Sequence, residues 1–279
     1  MSVTFEKKEH IVKPGVYIPQ IDIEFPENPN EPWIHPEIVN PTDFENNYPF
    51  LDKSFKHRLM RNLIYIGMVV VVFTLQKIRY GLKVKGRKNL RKNRKLFKNG
   101  ALTVSNHIYR WDFPAVFQAT HRKMWYPARA VQVESKDKNL IRYTGGIPIP
   151  ETLGGLRGFN KAFDELHEKK KWIHVFPEAC RWEFYEPIRP FIIGAFKMAY
   201  KYEIPVIPLV FSYREPKGIY KLFKVKHPLL TITIGEPISP VNDKGMSRNE
   251  FCNYLRHQAH EQMVKMAGIE QNMWPVEGD

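Results

Sequence analysis

Residues 105–114 read SNHIYRWDFP, with His107 and Asp112 separated by four residues and followed by Pro114. A carboxylate on one ring nitrogen of a histidine fixes the tautomer and leaves the other nitrogen as a base. On one ideal helix the two side chains would stand about 140° apart, at about 100° per residue, and could not share a hydrogen bond. Asp112 is a good N-cap residue, and Pro114 suits the first helical turn. Ile108 to Trp111 is therefore expected to form a turn that returns the carboxylate to the imidazole. Ser105 lies two residues before the histidine, and its side chain is expected to face away. With no serine placed as a nucleophile, the hydroxyl to be activated would belong to a substrate. Alone, this spacing is common by chance, and a loop with a surface histidine and a capping aspartate remains the plain alternative.

The elements around this turn set its context. ALTVS (101–105) is a short apolar strand leading into His107. WIHVFPE (172–178) is a strand that runs into a turn carrying Pro177, Glu178 and Arg181. GGIPI (145–149) reads as a strand after a glycine turn, with Gly146 at its start, and Arg157 follows. Further strands or irregular segments are expected at 125–133, 205–213 and 229–238. Helices are expected at 113–122, 158–170, 192–202 and 247–266. The second of these carries Phe159, Ala162, Phe163 and Leu166 on one stripe. The last has Ser247 as cap and Glu250 three residues on. Strands alternating with helices imply an α/β fold, a mixed and mostly parallel sheet flanked by helices.

Two cysteines without paired spacing, Cys180 and Cys252, argue against a disulfide framework or a cysteine-rich zinc site. No compact ligand cluster suggests a metal. The stretch MSVTFEKKEH has no apolar run after its charges, so no secretory signal is expected there. The net charge of +14 calls for an anionic partner. From Lys83 to Lys98 there are nine basic residues and no acidic one. Phe97 is the single aromatic in that run, too few for base stacking, and no nucleic acid is expected as a partner.

Three segments follow: a Pro-rich arm (1–50), an apolar and basic helical segment (51–99) and an α/β domain (100–279). Eight prolines between Pro14 and Pro49 exclude regular helix in the arm. Its apolar residues, Tyr17, Ile18, Ile21, Ile23, Phe25, Trp33 and Ile34, indicate that it packs on something. Leu63 to Leu75 is an apolar run of 13 residues, with Lys56, His57, Arg58 and Arg61 before it and Lys77 and Arg79 after. Such a helix rises only about 20 Å, against a hydrocarbon core of about 30 Å. The flanking cations suit lipid phosphates, so a helix lying in or dipping into one leaflet is expected; a buried core helix is the alternative.

Together the segments resemble the glycerolipid acyltransferase family, of the lysophosphatidic-acid acyltransferase type. Four blocks carry the resemblance, over roughly residues 80 to 240: Asn106-His107 with Asp112; Gly145 to Glu151; Phe176-Pro177-Glu178-Ala179 with Arg181; and the proline-bearing strand Ile204 to Leu209. Two departures stand out. Ala179 takes the place of the usual glycine, and Cys180 that of a common threonine. Glu151 stands where an arginine usually helps to hold the acceptor phosphate, with Arg157 as a possible substitute.

The resemblance implies that His107 removes the proton of an acceptor hydroxyl while Asp112 orients it. The hydroxyl would attack an acyl thioester, acyl-CoA or acyl carrier protein, with a lysophospholipid such as 1-acylglycerol-3-phosphate as acceptor. Backbone N–H groups would stabilise the oxyanion. Arg181 would hold a phosphate, Glu178 would organise Arg181 or a backbone amide, and Arg157 and Gly146 would complete the acceptor site. No cofactor beyond the acyl donor is implied, anionic membrane lipids are expected as partners, and the location is the cytoplasmic side of a membrane. A non-catalytic lipid- or acyl-carrier-binding protein of the same fold is the competing reading. More local alternatives also stay open. Arg181 can simply pair with Glu178 or Glu183, Glu178 can be a turn residue, Cys180 an inert packed thiol, and His174 structural. Arg110 and Trp111 can face either a membrane or the acceptor.

Overall fold

The computed structural model describes residues 7–39, 41–44, 48–223 and 225–275. β1 (Ile11–Val12) belongs to the arm. A helix, Phe55–Tyr80, follows, with a π-helical turn at Met68–Val72. β2 (Lys83–Lys85), β3 (Leu102–Ser105), β4 (Met124–Arg129), β5 (Gly146–Ile149), β6 (Trp172–Val175), β7 (Val206–Arg214) and β8 (Leu229–Ile234) then build one sheet in the order β2-β8-β7-β3-β6-β4-β5. Every pairing in it is parallel except β7 with β8. β9 (Ile269–Gln271) pairs antiparallel with β1 and ties the arm to the last helix.

Helices cover both faces, as a mostly parallel sheet requires. Asp112–Thr120 packs on one side, in a cluster with Ile108, Val116, Leu209 and Ile232. Leu153–Glu168, Gly194–Tyr202 and Arg248–Ala267 pack on the other, with Phe163, Phe196, Leu255 and Met263 buried together. Arg248–Ala267 starts with the expected capping box of Ser247 and Glu250.

Four expectations are corrected. Asp112 is the first residue of its helix and not its cap, which is Trp111; the Asp112 carboxylate accepts the Phe113 N–H at 2.8 Å. The helix expected from Gly158 starts at Leu153, because the Thr152 hydroxyl accepts the Gly155 N–H at 3.3 Å and caps it. Gly158 serves packing against the arm: a Cβ on it would sit 2.6 Å from the Phe50 ring. The border at residue 100 also moves, since β2 pairs with β8 and brings residues of the second segment into the sheet. Finally, the apolar helix is 26 residues long, twice the run read from sequence, or about 39 Å at 1.5 Å per residue.

That helix is reversed in polarity. His57, Arg61, Tyr65, Met68 and Gln76 face the domain and are buried. The Arg61 guanidinium donates to Met124 O at 2.9 Å, and the Tyr65 hydroxyl to Thr144 O at 2.9 Å. The Tyr109 hydroxyl donates to Gln76 Oε1 at 2.9 Å. Leu59, Leu63, Ile66, Val70 and Ile78 point outward, each 46% exposed or more.

The arm lies as an extended strap over the turn after β6. Phe25 stacks on Trp182 at 4.8 Å, Arg189 donates to Pro29 O at 2.8 Å, and Trp182 Nε1 donates to Glu31 O at 2.9 Å.

Candidate active site

β3 and β6 are neighbours in parallel register, with Val104 opposite Val175. Three residues past each of these stand His107 and Glu178, so the register delivers the two loops side by side. Glu178 Oε2 accepts the His107 backbone N–H at 2.9 Å. His107 O accepts the Trp182 N–H at 3.0 Å, and Ile108 O accepts the Phe184 N–H at 2.8 Å. Asn106 holds the other side, accepting the Phe211 N–H at 2.8 Å and donating to Phe211 O at 3.1 Å. The backbone of the first block is thus fixed to both neighbouring strands.

The turn 108–111 brings Asp112 Oδ2 into hydrogen-bond contact with His107 Nδ1. The imidazole stacks on Phe176 at 4.1 Å and 16° between planes. Two of its freedoms, tautomer and ring rotation, are removed before any substrate arrives. Among the described residues Nε2 has no hydrogen-bond partner, and His107 lines the large cavity described below. The Ser105 hydroxyl is buried and donates to Asn106 O at 3.1 Å, away from that role.

Glu178 does not line the cavity. It is buried and accepts from three donors: the His107 N–H, the Arg189 N–H at 2.9 Å and the Arg189 guanidinium at 3.0 Å. Its substrate-binding role is corrected to that of a buried organiser. Backbone amides are its partners as expected, but the arginine is Arg189, not Arg181. Arg157 is exposed on the 153–168 helix and Gly146 is buried in β5, and neither lines the cavity. A Cβ on Gly146 would sit 2.5 Å from Ile141 Cγ2, which explains that glycine by packing.

Arg181 does line the cavity. It is half-buried and makes no hydrogen bond or ion pair among the described residues, and its Nε is buried without a partner. Arg129, at the end of β4, is a second half-buried arginine lining the cavity. The sequence reading missed it. It is the one basic residue of the 124–133 segment and stands at the carboxyl end of a parallel strand, where α/β sheets place their sites. Arg110 also lines the cavity and pairs with Asp137 at 3.1 Å.

His174 lies under the site, fully buried, with Nδ1 2.9 Å from the Thr103 hydroxyl. Burial, and then the neighbouring His107, push its pKa down to about 3, so it stays neutral. Cys180 is packed under the arm, its thiol 3.1 Å from Asn30 O and its pKa raised by burial. Ala179 has φ +64°, the left-handed region that glycine occupies freely. No group of three or more metal-ligating side chains occurs among the described residues.

The cavity is about 1340 Å³. One wall is apolar and comes from the long helix: Leu63, Ile64, Gly67, Met68 and Val72. Arg129, Arg181, Lys197, Lys201 and Arg248 also line the cavity. An oriented imidazole thus shares one space with an apolar wall and several cations.

An acyltransferase family model matches residues 81–212, the stretch that holds all four blocks and the strands between them. These residues form an acyltransferase-family domain. Among solved structures, the chain is similar to the 1-acyl-sn-glycerophosphate (LPA) acyltransferase PlsC from Thermotoga maritima. The identity is 19%, over 78% of this chain and 84% of that one, with a TM-score of 0.48. No curated protein matches the chain significantly.

Proposed function

We propose that this acyltransferase moves a fatty acyl group from an acyl thioester, acyl-CoA or acyl carrier protein, to the hydroxyl of a lysophospholipid such as 1-acylglycerol-3-phosphate. The observation that carries this reading is the single cavity joining His107 to an apolar helix and to unpaired arginines. His107 Nε2 takes the acceptor's hydroxyl proton as the oxygen attacks the thioester carbon. Asp112 stabilises the imidazolium that forms. The tetrahedral intermediate then collapses, the C–S bond breaks, and the leaving thiolate takes the proton from His107. General-base assistance of this kind contributes roughly 10²- to 10⁴-fold. Arg181 and Arg129 offer forked donors to the acceptor phosphate. Lys197 and Arg248, which also line the cavity, offer charge to the phosphates of the donor, while Lys201 is paired with Asp164 at 2.5 Å.

The long helix lies in one leaflet on the cytoplasmic side, where acyl thioesters are made. By length and composition it would suffice to cross a bilayer. Its polar face, however, is bonded to the domain by Arg61, Tyr65 and Gln76, so only the opposite face is available to lipid. Acyl chains then have a short path from that leaflet along Leu63 and Met68 to His107.

The test is mass spectrometry of lipids after incubating the pure protein with acyl-CoA or acyl carrier protein and a panel of lysophospholipids. A new diacyl phospholipid is expected. With the preferred acceptor, Arg181→Ala should raise the KM for acceptor far more than for donor, and Arg181→Lys should restore only part. Binding of lipid or acyl carrier protein without any transfer would favour the non-catalytic reading.

A further inference from the structure

The connection between β7 and β8 carries a feature that catalysis does not use. Ile219–Leu222 is a short helix at its tip, followed by Phe223. Ile219 is 61% exposed, Leu222 77% and Phe223 72%. Large apolar side chains clustered at a loop tip are unusual, because loops ordinarily carry polar residues into water. The tip is also anchored. Tyr220 turns inward and its hydroxyl donates to Lys77 O at 3.0 Å, at the end of the long helix. Gly81, which closes that helix with φ +53°, leaves room for the Tyr220 ring; a Cβ there would sit 3.1 Å from the hydroxyl. The apolar tip is thereby held beside the exposed apolar stripe that ends at Ile78. Exposed cations surround it: Lys77 and Arg79 on the helix, Lys221 and Lys226 on the connection, and Lys217, which shares its charge with Glu215 at 3.1 Å.

We propose that Ile219, Leu222 and Phe223 form a second insertion point that enters the same lipid leaflet as the long helix. The proposal rests on the reading that this helix lies in the leaflet. Two observations favour a lipid surface as the occupant: the apolar tip continues an apolar stripe, and its rim is cationic, as an anionic headgroup layer requires. The physical consequence is orientation. A helix lying flat leaves the domain free to roll about the helix axis. A second, off-axis contact at Leu222 and Phe223 fixes the roll, and with it the angle at which the cavity meets the membrane.

The experiment places nitroxide labels on single introduced cysteines at Val70, Leu222 and, as a control, Glu261 in the full chain. Both native cysteines are buried. Depth is read from oxygen and nickel-chelate accessibility on phosphatidylcholine–phosphatidylglycerol vesicles. Labels at 70 and 222 should both move into the oxygen-rich interior, and the label at 261 should stay in water. Insertion at 70 with 222 in water overturns this proposal and leaves the helix reading standing; water exposure at both overturns both. A Leu222→Asp/Phe223→Asp variant that keeps its circular dichroism should bind these vesicles at least about 10-fold more weakly. Unchanged vesicle binding with lost self-association would assign the tip to a second copy of the chain and overturn the proposal.

Discussion

Two ionisable pairs stand side by side at the carboxyl end of the sheet, and they differ in what they leave free. In His107–Asp112 the histidine side chain is 14% exposed and its second ring nitrogen has no partner among the described residues. In Arg189–Glu178 the side chains are 1% and 2% exposed, and Glu178 is already engaged by two backbone amides besides the guanidinium. His107, Asp112 and Glu178 belong to the blocks that carry the resemblance and Arg189 does not, and only the first pair reaches the cavity. The second joins the two loops, because its carboxylate holds the His107 N–H. Residues that recur together in a motif can thus divide the work: one set meets substrate, and the other fixes where the first set stands.

The comparison breaks most sharply at His107. His107→Ala should lower kcat by at least about 10²-fold while leaving the fold intact, since a general base contributes that much and the backbone bonds to Glu178 and Trp182 do not need the ring. Asp112→Asn should also impair transfer severely, by removing the charge that stabilises imidazolium. Single-turnover assays paired with circular dichroism check both. Retention of more than about a tenth of the activity in His107→Ala would remove the base assignment.

Arg189→Leu should behave in the opposite way. Removing one partner of a buried ion pair leaves the other charge uncompensated, at a cost of about 3–5 kcal/mol. Two amides still bond Glu178, which places the expected loss at the lower end of that range, about 3 kcal/mol. Urea unfolding measures it. A variant that keeps full stability yet loses transfer would mean that Arg189 serves to position the His107 loop and not to hold the fold together.

Much of this arrangement was legible in the sequence because short-range rules govern it. The strand before His107, the turn that returns Asp112, the mostly parallel sheet and the capping box at Ser247 all follow from local patterns. What escaped was set by tertiary contact. Arg189 sits between Ile188 and Pro190 with no local signal of a partner eleven residues back. The long helix was misjudged because its ends, with His57, Arg61 and Gln76, look too polar for an apolar helix; those residues face the domain instead. Glycines at 154, 155 and 158 hid the start of another helix; close packing explains two of them, Gly155 against Pro150 and Gly158 against Phe50, and nothing packs within 4 Å of a Cβ on Gly154.

His174, beneath both pairs, gives a smaller effect with a definite sign. Its folded pKa is about 3 against 6.5 unperturbed, so the unfolded chain binds a proton that the folded one refuses between those values. Its contribution to stability is therefore complete above about pH 6.5 and lost progressively as the pH falls toward 3. Urea midpoints should drop between pH 7 and pH 5, and His174→Gln should flatten part of that slope. His260, held near pKa 4 by burial, should supply much of the remainder. A slope unchanged in His174→Gln would place the acid sensitivity in groups other than His174.

The smallest effect concerns the link between the pairs. Ala179 follows Glu178 and lines the cavity with φ +64°, in a region where a Cβ crowds the neighbouring carbonyl oxygen. Glycine would relieve that strain but would also loosen the unfolded chain, and these opposing terms leave a net gain of about 1 kcal/mol or less. Ala179→Gly should therefore raise the urea midpoint slightly. Because Ala179 N–H bonds to Phe176 O through backbone alone, at 3.0 Å, the turn should survive the exchange with His107 in place. Transfer rates should then stay within about twofold, a change of roughly 0.4 kcal/mol in barrier. A large fall in rate together with higher stability would show that the alanine methyl itself positions substrate against His107. The third block would then act on the reaction directly, as well as through the backbone it anchors.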